Sequence, residues 1–214
     1  MPEQPMVVVR GEAVREVPPE IASFTVTATV RDRDKETVLT RLAERAAGVR
    51  LALDGYGETI ERRETGGVEV YPEVKRERKT VGYVGRVATT VTVTDFAALG
   101  EMLLRLAALD DVAVAGPWWQ LRVGSTAGAD VRRAAIADAL ARAREYAEAV
   151  GSRVERLVEI ADEGAGGASP VMFRAGAAEM AYDTAGGLDL DPQQQTVRAS
   201  VVVRVAITEP DLTG

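Results

Sequence analysis

The stretch "IASFTVTATVRDRDKETVLTRLAERAAGVRLAL", Ile21 to Leu53, changes its hydrophobic period once, and that change sets the class of fold. In its first part Ile21, Phe24, Val26, Ala28 and Val30 mostly alternate with small polar residues, the period of a strand with one face buried. In its second part Val38, Leu39, Leu42, Ala46, Val49 and Leu53 recur at helical spacing. Asp34 stands at the switch, where a carboxylate can accept from the free amides of a first helical turn. The pattern predicts a strand over Glu20–Val30 and a helix from Asp34 to Leu53. The "DGYG" of Asp54–Gly57 stops the helix.

Working outward, Met6–Val17 reads as a strand joined to this one at Pro18-Pro19. On the other side, "ETIERRE" and "VEVYPEV" predict a hairpin turning at Gly66-Gly67, with Pro72 marking an edge because proline cannot donate to a ladder. Next come a long strand in "TVGYVGRVATTVTV", a helix from Asp95 through Leu109, and a strand over Val112–Val123. An alanine-rich helix spans Thr126–Val150 and stops at Gly151, and strands at Arg153–Ala161 and Thr196–Thr208 follow. This order predicts an α+β fold, mainly antiparallel sheet with helices packed on one face, built from hairpins and βαβ-like halves. The chain reads as one domain, 1–214, with an ordered core over 6–161 and 196–208. Residues 162–195 read as a long flexible loop, of a length that is functional or disordered in most proteins.

Composition narrows the chemistry. The chain has 214 residues, a net charge of -7, and neither cysteine nor histidine. Disulfides, thiolate nucleophiles, serine triads built on histidine, and Cys/His zinc sites are therefore excluded. So is the one side chain that titrates unperturbed between pH 5 and 8. The acidity argues against nucleic acid as a partner. No apolar run is long enough to cross a bilayer and no signal peptide is visible, so a cytoplasmic location is expected. No cofactor is implied.

"RRAAIADALARAREYAEAVGS", Arg132–Ser152, sets one aspartate, Asp138, among alanines. On a helical wheel Val131, Ala135, Ile136, Ala139, Leu140, Ala143, Tyr146, Ala147 and Val150 share a broad apolar sector, with Asp138 at its boundary. Arg142 follows four residues later, the favourable order for a helix ion pair. Asp138 therefore reads as an edge carboxylate, paired locally or bonded to a neighbouring element. Trp118 and Trp119 occupy adjacent strand positions and must face opposite ways, one to the core and one free to anchor an interface or ligand. Met172, Phe173, Met180 and Tyr182 put apolar groups in the long connection, as either a self-packed loop or a docking surface. Asp183, Asp189 and Asp191 are possible oxygen ligands but lack the spacing of a calcium loop. "KRERK" at Lys75–Lys79 reads as a solvated strand end.

Four segments carry a family resemblance in one order: "VVRGEA" from Val8, "PPEIASFTVTATV" from Pro18, "VGYVGRVATTVTVTD" from Val81, and "AIADALARAREYAEAVGSRVERLVEI" from Ala135. Together they resemble the SIMPL domain family, DUF541, which includes bacterial oxidative-stress defence proteins and a Brucella outer-surface immunogen. The resemblance implies an α+β fold, ring- or channel-like homo-oligomers in some members, and no established enzymatic activity. It maps Gly11, Pro19, Ala22, Gly82, Tyr83, Asp138, Ala139, Ala143, Ala147 and Gly151 as fold determinants. Glu20 stands where an aspartate often follows the proline. The expectation is a non-enzymatic protein acting through homo-oligomerisation and protein contacts, in oxidative-stress defence. The alternative is a small-molecule or cation-binding protein, or a carboxylate-dependent enzyme, using a cleft under residues 162–195.

Overall fold

The computed structural model describes residues 4–75, 79–162 and 188–211. Its strands are β1 (Met6–Val17), β2 (Ile21–Asp32), β3 (Ile60–Lys75), β4 (Lys79–Val93), β5 (Val112–Gln120), β6 (Val154–Asp162) and β7 (Gln195–Ile207). Its α-helices are α1 (Lys35–Asp54), α2 (Leu99–Ala107) and α3 (Ala127–Ala149), with a short 3-10 turn at Gly57–Thr59. The fold is α+β, and among the described residues all strand pairing is antiparallel. Contacts gather into two compact units. One holds β1, α3, β6 and β7; the other holds β2 through β5, α1, α2 and the segment 188–193.

In the second unit the switch at Asp34 is as expected. The Asp34 carboxylate accepts from the Thr37 N–H at 2.8 Å and from the Thr37 hydroxyl at 2.9 Å, which satisfies a free amide of the first turn of α1. These bonds hold its pKa below the ordinary aspartate value. The sheet order is β3-β4-β2-β5. Each β-α-β run therefore has a third strand between its two strands: β4 separates β2 from β3, and β2 separates β4 from β5. This double split β-α-β is the ferredoxin-like arrangement. Its core joins Phe24, Val26, Val91 and Val93 of the sheet to Val49 and Leu53 of α1 and Leu99, Met102 and Leu106 of α2. Fully burying a side chain of this size contributes about 1.5–3 kcal/mol.

Two local expectations are corrected here. Gly66-Gly67 is not a hairpin turn: β3 runs through it, and the register against β4 slips between Thr65 and Gly67. A glycine pair suits a bulge as well as a turn, since both need backbone that a side chain hinders. The two strands instead reverse beyond Lys75, which pairs with Lys79. Asp95 does not cap α2. Its carboxylate accepts from the Ala97 N–H at 3.0 Å, closing a turn before the helix, whose N-cap is Ala98. Pro72 does lie on an edge strand.

In the first unit the sheet order is β1-β7-β6. β1 pairs with β7 without a break from Met6↔Ala206 to Val17↔Gln195. Helix α3 lies on one face and buries Val131, Ala135, Ala139, Ala143 and Ala147, a row four residues apart. Against the four alanines pack Val9, Val201, Val203, Val205 and Ile207. Gly151 ends α3 in the left-handed region, φ +68°. The Ser152 N–H donates to the Ala147 carbonyl at 2.8 Å and the Gly151 N–H to Glu148 at 3.0 Å, the paired bonds of a Schellman cap.

Candidate functional site

Asp138 belongs to the contact between α3 and β1. Gly11 of β1 lets the helix approach so closely that a Cβ there would lie 2.6 Å from the Ala139 Cβ and 2.5 Å from its backbone nitrogen. At that separation the rim of the helix reaches the free edge of the strand. The Asp138 Oδ2 accepts from the Glu12 N–H at 3.0 Å and pairs with the Arg142 guanidinium at 3.2 Å. Both expected roles, the local pair and the bond to a neighbouring element, are present together. A carboxylate set on a strand edge also removes a donor that a further strand would use.

The two tryptophans face opposite ways. Trp119 turns inward and meets Phe96 edge-on, with ring centroids 4.8 Å apart, against the α2 core. Trp118 pairs across from Ser23 on the other face and is 46% exposed. Around it that face is rich in hydroxyls, with Ser23 opposite Thr92 and Thr25 opposite Thr90. Gln120 donates to the Ser23 hydroxyl at 3.3 Å. Met172, Phe173, Met180, Tyr182 and Asp183 lie outside the described residues. Two residues at the end of the long connection are placed: Leu188 and Leu190 pack against the α2 core, and the Leu188 carbonyl rests on Gly100. The Leu-x-Leu spacing was the only signal for that contact in the sequence.

The remaining family-pattern positions all fall among the described residues. Ala22, Ala139, Ala143 and Ala147 are fully buried and Pro19 is buried. A Cβ on Gly82 would lie 2.8 Å from the Asp32 carbonyl, and Tyr83 pairs with Asp32 in the ladder. Among the described residues no group of three carboxylates, histidines or cysteines could hold a metal.

The strand edges differ in how open they are. β6 shifts register twice against β7, and β3 shifts three times against β4. Such bulges twist an edge away from further pairing. β1 has no shift and keeps Met6, Val8 and Val14 exposed on the face away from α3, at 41%, 51% and 56%. Among the described residues no helix is long and apolar enough to cross a membrane.

The chain belongs to the SIMPL family, DUF541, described as a protein family of unknown function, whose model matches residues 7–205. No curated protein matches it.

Proposed function

We propose that this chain is a non-catalytic protein that works by self-association and protein contacts, using the face of the β1-β7-β6 sheet opposite α3. The observation that carries this reading is the trio Met6, Val8 and Val14, exposed along a regular twelve-residue strand. A three-stranded sheet whose second face carries large apolar groups gains by covering them. Charged pairs interleave with them, Arg10 with Glu12 at 3.0 Å and Arg204 with Glu159 at 3.2 Å, which suits a specific contact better than a greasy one. The face carries the contact rather than the edges, since β6 is bulged and β1 is capped at Glu12. The stress-defence role implied by the family resemblance is part of the proposal.

Light scattering across a dilution series tests it. The expected result is a closed oligomer whose mass falls to that of one chain in Val8→Glu/Val14→Glu, with an unchanged unfolding transition. A native chain that is monomeric at every concentration would sink the reading.

A further inference from the structure

The geometry points to a binding site for a small molecule bearing a carboxylate or phosphate group, in the open cleft where β2 runs past the start of β5. The cleft is about 440 Å³ and is lined by Thr29, Arg31, Arg41, Asp111, Val112 and Ala113. That volume falls in the range of small-ligand sites.

Its charges are unbalanced toward the positive. Arg41 bridges Asp32 and Asp111 at 3.6 Å each, and Arg45 reaches Asp111 at 3.3 Å. Two guanidiniums thus answer two carboxylates. Arg31 is left over: it lines the same cleft, is exposed, and has no ion-pair partner among the described residues. A surplus arginine at a concave site is notable in a chain of net charge -7.

The backbone adds a donor beside it. β5 pairs with β2 only as far as Val112↔Ala28. The Thr29 N–H, pointing to that side, is taken by the Asp111 carbonyl at 2.8 Å. Strand alternation turns the Arg31 N–H to the same side two residues on, beyond the end of β5. One cleft is thus lined by two arginines, Arg31 and Arg41, beside a main-chain N–H, groups that bind carboxylate and phosphate oxygens with directed, charge-assisted bonds. Asp111 adopts φ 60°, a left-handed conformation that aspartate tolerates better than most side chains. Its carboxylate holds Arg41 and Arg45 on α1 while its carbonyl meets β2, so this one residue fixes the inner wall.

The test is an NMR titration of the full chain with inorganic phosphate and, separately, with citrate, against sodium chloride at matched ionic strength. Saturable shifts centred on the Thr29, Arg31 and Val112 amides are expected with at least one of the two anions. Saturation by phosphate alone marks a phosphate ligand, and by citrate alone a carboxylate ligand. Arg31→Ala should weaken binding at least tenfold without loss of fold, because Arg31 makes no ion pair. Shifts that chloride reproduces, or affinity unchanged in Arg31→Ala, would overturn the assignment.

Discussion

The two units bury helices on antiparallel sheets by opposite means. In the first, α3 presents alanines at 135, 139, 143 and 147 and comes down onto Gly11, so backbone approaches backbone. In the second, α1 and α2 hold their sheet at the distance of Phe24, Leu53, Leu99, Met102 and Leu106. A thick layer draws its stability from apolar volume and loses it by cavities. A thin layer draws it from closeness and loses it when any atom is added. The thin layer also brings the helix rim within hydrogen-bonding reach of the strand edge, which is how Asp138 comes to bond Glu12.

That contrast sets a ranked series of substitutions. Gly11→Val should have the largest effect, above about 3 kcal/mol, because its new atoms meet the main chain of α3 rather than a yielding side chain. Hydrogen exchange should report it as lost protection in β1, β7 and α3; intact protection there would break the thin-layer account. Leu106→Ala should cost about 2–5 kcal/mol by leaving a cavity, read as lost protection in β2 and β4. Asp138→Ala removes one acceptor at a partly exposed rim and should cost about 1 kcal/mol in chemical denaturation, without disturbing the second unit. A cost as large as that of Gly11→Val would mean that the bond, not the close approach, holds α3 in place.

The smallest effect belongs to Asp34, which is fully exposed. Its pKa is lowered in the folded chain, so its carboxylate stabilises the fold above the ordinary aspartate pKa, and that gain is lost as pH falls through the folded value. The difference in melting temperature between the native chain and Asp34→Ala should therefore be present at neutral pH and vanish in acid. A difference that persisted in acid would assign the effect to something other than the charged cap.

What the sequence made legible was local. The change of period at Asp34 placed β2 and α1, and the alanine row placed α3 with its stop at Gly151. Adjacent tryptophans had to face apart, as they do. The pairings that give the β3-β4-β2-β5 order join residues far apart in the chain, and no periodicity encodes them. For the same reason the partner of Asp138 was out of reach: Glu12 lies in a strand 126 residues away. Gly66-Gly67 misled because a turn and a bulge ask the same freedom of the backbone. The cleft at Arg31 left no mark at all, since it exists only where one strand outruns its neighbour.

Strand β7 lies in the middle of its sheet, between the first strand of the chain and the sixth. During synthesis β1 is made long before its partner residues 195–206. At about 5–20 residues per second, β1 waits on the order of ten to forty seconds for the strand it pairs with. Through that interval its apolar side chains, Met6 to Val14, have no sheet to join. A nascent chain halted before residue 195 has no β7, so it can never close this unit. Termination anywhere between β1 and β7 thus costs β1 its place.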